Sequence, residues 1–136
     1  MDKSESHLTQ WQHNRNFITR IPPEYPDWIA TVAFYAALQI IDALLAKQRI
    51  SGVINHDTRN EVLRKTHNYS QIWKHYQPLF NLPRTVRYLA DPTAWIPVTN
   101  LESQVFPRLY EIEKSVLGLM GRPDMKRDKL QILKSA

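Results

Sequence analysis

Residues 28–46 read WIATVAFYAALQIIDALLA, and no other stretch restricts the fold so severely. Only Thr31, Gln39 and Asp42 interrupt the apolar run. A helix of about 20 apolar residues is long enough to cross a bilayer. An aspartate at mid-bilayer depth is costly, however, and a helix that is apolar nearly all round also suits the centre of a soluble bundle. The expectation is therefore a buried central helix, no membrane association and a cytoplasmic location. Asp42 is expected to pair with an arginine from a neighbouring helix rather than to serve as a catalytic acid.

The rest of the chain reads as helices around that centre. Trp11, Asn14, Phe17, Ile18 and Ile21 fall near helical spacing, with Thr9 as the expected cap. PPEYP at 22–26 stops this helix, and Asp27 is expected to cap the next one, which runs to about Lys47. Gly52 marks a connection. TRNE at 58–61 fits a capping box, with Asn55 or Asp57 as alternative caps, for a short helix to about Thr66. A longer helix begins near Tyr69 and carries Ile72, Tyr76, Leu79, Phe80, Val86 and Leu89. Pro78 and Pro83 predict a kink or break in it.

ADPTAWIPV at 90–98 reads as a loop, and TNLE at 99–102 as a second capping box. Leu101, Val105, Leu109, Ile112, Val116 and Leu119 mark one face of a last helix, bent near Pro107 and ended by Gly121 and Pro123. Three glycines in 136 residues argue against a β-sandwich or barrel. The fold class is all-α, a four- to five-helix bundle. One domain covers residues 1–121, followed by a basic tail, 122–136, loosely attached and with a short helix near DKLQILK.

Charge is uneven. Residues 49–90 carry seven Lys/Arg against two Asp/Glu and three of the five histidines. Such a segment suits an anionic partner such as RNA or a nucleotide, although a modestly basic surface also merely aids solubility. Within it, HDTRNEVLRKTH at 56–67 places His56 and Arg59 one turn apart. Arg84 and Arg87 stand in the same relation on the next long helix, beside Tyr88. These five residues form the candidate anion- or RNA-binding set, with aromatic and arginine neighbours suited to stacking and phosphate contact. His56 is expected to be neutral, because a helix N-terminus disfavours a cation. Lys65 and His67 are expected to be solvated. The alternative for the whole set is an ordinary solvated basic face, bridged to Asp57 or Glu61.

No metal site or cofactor is expected. There is no cysteine, and His67 and His75 lack a third ligand. No phosphate-binding glycine loop or serine-centred triad signature is present. Trp28, Phe34, Tyr35 and Trp73 are expected in the core.

HNRNF (13–17), YPDWIATVAFYAALQIIDALL (25–45), HDTRNEVL (56–63) and NLPRTVRY (81–88) together resemble uncharacterised bacterial proteins of the HEPN superfamily, the higher eukaryotes and prokaryotes nucleotide-binding domain. The similarity spans about residues 9–119. It implies an up-and-down bundle that forms a homodimer. It also implies a role in a toxin–antitoxin or other defence system, with a protein partner encoded nearby. Many HEPN proteins are metal-independent ribonucleases; others bind RNA or nucleotides without catalysis. The nuclease motif is Arg, four to six residues, then His. Here Arg59 and His67 enclose seven residues, Arg64 and His67 enclose two, and the last helix has no histidine. Three functions follow in order of preference: an RNA- or nucleotide-binding module, a noncatalytic homodimeric interaction protein, and a divergent ribonuclease with His56 as general acid/base.

Overall fold

The structure, a computed structural model, describes residues 2–50, 55–88 and 100–131, with residues 83–88 described by their backbone alone. All regular structure among these residues is helical. The long elements are α1 (Lys3–Ile18), α2 (Pro26–Lys47), α3 (His56–Lys65), α4 (Ser70–Tyr88) and α5 (Phe106–Met120).

α2 is the centre, and fourteen of its 22 residues are buried. It packs against α1, α4 and α5. Ala33, Ala36, Ala37 and Ala43 are wholly buried, and their small side chains let neighbouring backbones approach closely. α2 is long and apolar enough to cross a membrane, and 72% of its most apolar window is buried inside the bundle. Its start differs from the expected one. Tyr25 is the N-cap, Pro26 opens the helix, and Asp27 lies in the first turn. Pro26 lacks only a donor that would be orphaned there in any case.

α1 begins earlier than expected, at Lys3, because the Asp2 side chain accepts the Glu5 amide. Its buried stripe is Leu8, Trp11, Arg15 and Ile18, spaced at three or four residues. Phe17, grouped with Trp11 and Ile18 by its spacing, is 51% exposed. α1 runs antiparallel to α2, since Ser4 bonds the Ala43 carbonyl and His7 Nδ1–H donates to Gln39 Oε1.

α4 follows a short 3-10 turn, His67–Tyr69, and continues unbroken past Pro78 and Pro83. The expected break is absent. α5 resolves its proline differently. Leu101–Val105 forms a π-helical turn, closed by the Phe106 amide on the Leu101 carbonyl, and Pro107 sits in the first turn of the α-helix proper. The wider turn lets the chain enter α5 without needing the N–H that Pro107 lacks. Asn100 precedes it with no side-chain cap bond, and the expected capping box starts at Thr99, which lies outside the described residues. Met120 rather than Leu119 completes the buried face, and Leu119 is 42% exposed. Gly121 ends α5 in the left-handed conformation (φ 71°), and the Arg122 amide returns to the Leu117 carbonyl.

The tail is better attached than expected. After a 3-10 turn at Pro123–Met125 it carries no regular secondary structure to Gln131. Arg15 holds the Asp128 carbonyl (2.6 Å), Lys126 sits over the Tyr110 ring, and Leu130 is buried. The expected connection at Gly52 and the loop at 90–98 lie outside the described residues.

Candidate functional site

The candidate site forms where α3 crosses the bundle. Asn55 caps α3, its side chain accepting the Thr58 amide at 2.9 Å. The TRNE box is therefore not used, and Glu61 instead pairs with Lys65 on the exposed face (2.7 Å). That cap fixes His56 as the first helical residue and brings Arg59 onto α2 one turn later.

Arg59 is 6% exposed and forms a two-pronged ion pair with Asp42, Nε to Oδ1 at 2.7 Å and Nη2 to Oδ2 at 2.9 Å. The expected partner for Asp42 is thereby found. Desolvation works against the charged form of Arg59, but the hydrogen bond and charge of Asp42 outweigh it, and its pKa lies above the ordinary value. Arg59 is thus not a solvated cation awaiting a phosphate, and its charge is already balanced.

Arg59 also holds His56, with Nη1 3.2 Å from Nδ1. A guanidinium only donates, so Nδ1 is the acceptor, as in a neutral imidazole. The His56 side is exposed, at the first turn of α3. Its ring stands 5.4 Å from Phe80, edge-on, and 6.0 Å from Phe34. Phe34 in turn stacks on Tyr76 at 5.8 Å. The result is an imidazole seated on an aromatic floor and oriented from below by a buried arginine.

Tyr76 adds an unusual element. It is fully buried, and its hydroxyl has no hydrogen-bond partner among the described residues. Asn60 Oδ1, on α3 next to Arg59, and His75 Nδ1, on α4 next to Tyr76, share that condition. Buried polar atoms are nearly always bonded. Burial is the main cause that pushes the Tyr76 pKa upward, assisted by the Asp42 charge and opposed by Arg59, so the phenol stays protonated.

The structure thus brings together His56 and Arg59 with Asp42, Tyr76, Phe34 and Phe80. Asp42 was singled out in the sequence as half of an ion pair; Tyr76, Phe34 and Phe80 were read only as core. The side chains of Arg84, Arg87 and Tyr88 lie outside the described residues. Their backbone positions belong to α4, and positions 76, 80, 84 and 87 fall on one stripe of that helix. Trp28 and Tyr35, expected in the core, are 59% and 38% exposed on α2.

A second buried arginine was missed altogether. Arg15 on α1 binds Glu113 on α5 through Nε to Oε2 (2.6 Å) and Nη2 to Oε1 (2.9 Å), and Trp11 Nε1 donates to the same carboxylate at 2.7 Å. The signal was present: Arg15 interrupts the stripe Leu8–Trp11–Ile18, and Glu113 interrupts Leu109–Ile112–Val116. No group of three or more potential metal ligands occurs among the described residues.

Comparison with known proteins gives no match: no family model, no curated protein and no solved structure is recognisably similar to the chain.

Proposed function

We propose that the chain is a HEPN-like, up-and-down helical module that binds RNA or a nucleotide at the junction of α3 and α4, and that it works in the cytoplasm, in a defence system, with a partner protein encoded nearby. One observation carries the reading: an exposed, neutral imidazole, His56, is fixed by a buried arginine above Phe34 and Phe80. A planar ring on an aromatic floor suits an unstacked base, which is how single-stranded nucleic acid is commonly held. Further along the same stripe of α4, Arg84 and Arg87 supply the cationic register for a phosphate backbone. Arg59 acts as a positioning residue rather than a phosphate ligand. The ribonuclease reading has less support, because Arg59, the arginine beside His56, is already bound to Asp42 and is not available to a pentacoordinate phosphate.

The test is fluorescence anisotropy with a labelled single-stranded RNA at low and moderate salt. Wild-type binding should weaken as salt rises. Arg84→Ala and Arg87→Ala should each weaken binding and flatten the salt slope by about one unit. His56→Gln should weaken it about tenfold with the slope unchanged. The reading fails if the wild type does not bind, or if all three variants bind as it does. Arg59→Ala is a poorer probe, since it leaves Asp42 without its partner.

A second reading, a homodimeric interaction protein, is favoured by a separate observation: Phe17, Tyr25, Trp28 and Tyr35 are large aromatics between 38% and 59% exposed. Light scattering at high micromolar concentration separates the cases, a monomer mass being the result that removes it.

A further inference from the structure

A separate cleft lies where α2 and α5 end and α1 begins. Its volume is about 590 Å³, within the range of small-molecule sites. Ala46, Ile50 and Met120 give it an apolar floor, while Lys3, Lys47, Arg49 and Arg122 bring four cations to its wall.

The two acids in that wall are committed. The Asp2 carboxylate accepts the Glu5 amide at the start of α1, and the Glu5 carboxylate pairs with Arg122 at 3.2 Å. Lys3, Lys47 and Arg49 form no ion pair among the described residues. Lys47 is positioned, its Nζ donating to the Met120 carbonyl at the end of α5 (2.6 Å) with two further N–H groups remaining.

Arg49 supplies an independent observation. It is the only non-glycine residue with positive φ among those described, at 57°. The Arg49 amide returns to Ala46 and the Ile50 amide to Leu45, the Schellman pattern that ends α2. Glycine suits that position; a residue with a Cβ adopts it at a conformational cost. Here the costly residue is a cation, and its side chain lines the cleft.

We propose that this cleft binds a small phosphorylated anion, held by Lys3, Lys47 and Arg49 over the Ala46–Ile50–Met120 floor. The site is separate from the α3–α4 junction and does not depend on that reading.

The experiment is titration calorimetry with inorganic pyrophosphate, a probe without a base, against sodium chloride at matched ionic strength. The wild type should bind pyrophosphate in the micromolar to millimolar range. Arg49→Gly should weaken binding about tenfold, the usual worth of one charge-assisted contact, while melting at the same temperature as wild type or higher. Lys47→Met should weaken it to a similar degree, and His56→Gln should leave it unchanged. The proposal is overturned if the wild type gives no heat beyond the salt control at millimolar pyrophosphate, or if Arg49→Gly binds as tightly as wild type. Loss of binding in His56→Gln would also overturn it, by moving the anion to the other face.

Discussion

Two arginines are buried among the described residues, each gripped by a carboxylate with two prongs, yet their surroundings differ. Around Arg15 the partners are complete. Glu113 receives Arg15 at both oxygens and Trp11 at one of them, and Arg15 reaches on to Asp128, so α1, α5 and the tail are joined at one point. Around Arg59 the accounting does not close. Asp42 and His56 take three of its bonds, but among the described residues the Tyr76 hydroxyl, which feels the Arg59 charge, and the Asn60 side-chain carbonyl are buried without a hydrogen-bond partner, and His56 is exposed. A closed network is what a structural staple looks like; an open one beside an exposed imidazole is what a binding site looks like. The same residue type, equally buried, is separated into two roles by what remains unsatisfied around it.

The first way to break this contrast is Glu113→Ala. It strands a buried guanidinium and the Trp11 N–H, and should cost about 3–5 kcal/mol in urea unfolding. A loss below about 1 kcal/mol would remove the staple. The double variant Arg15→Met, Glu113→Leu should recover most of the stability, because a packed apolar pair replaces a balanced ionic one at little net cost.

Asp42→Ala should cost less, about 2–3 kcal/mol, since the Arg59 pair lies closer to water, its carboxylate side chain being 14% exposed against 2% for Glu113. Equal losses in the two variants, by the same measurement, would erase the difference between the regions.

Paired phenyl substitutions sharpen it further. Trp11→Phe removes a bonded donor and should destabilise by at least about 1–3 kcal/mol. Tyr76→Phe removes an unbonded hydroxyl and should fall within about 1 kcal/mol of wild type, on the stabilising side. If Tyr76→Phe proves as costly as Trp11→Phe, the hydroxyl has a partner and the open network is closed after all.

The smallest effect concerns acid. Burial is the leading cause that lowers the His75 pKa, reinforced by Arg108 and Lys74 and opposed by Glu111. The unfolded chain therefore takes up a proton near pH 6.5 that the folded chain refuses until lower pH. Stability should decline as pH falls below about 6.5, with no contribution from this group above it. His75→Gln should flatten that decline, as read from unfolding midpoints between about pH 5 and 7.

Much of the architecture was legible because it rests on periodicity. The run at 28–46 read as central because Asp42 made a membrane span costly, and Gly121 marked a helix end by chemistry available to few residues. The prolines divided: no break occurs at Pro78 or Pro83 within the continuous α4, whereas the disturbance expected near Pro107 is present as a π-helical turn over Leu101–Val105. Tertiary context overrode local preference only in α4. At the site, i,i+3 spacing paired His56 with Arg59, and the polar interruption in α2 marked Asp42. Spacing carries no information on whether a cation is already neutralised, so Arg59 read as a free ligand. Arg15 and Glu113 escaped because the stripes were read for their apolar members, when the charges interrupting them were the more specific signal.

The burial of α2 also has a consequence in time. During synthesis α1 is already made when α2 emerges, and can cover one side of it. The α5 surface that closes another side ends at Met120, roughly seventy residues later, or on the order of 4–15 s at ordinary elongation rates. For that interval the nascent chain displays a helix with the length and apolarity of a membrane span. Its exposure to aggregation, and to cellular factors that recognise apolar helices, is set by how fast the last helix arrives, a property of chain order that the finished bundle conceals.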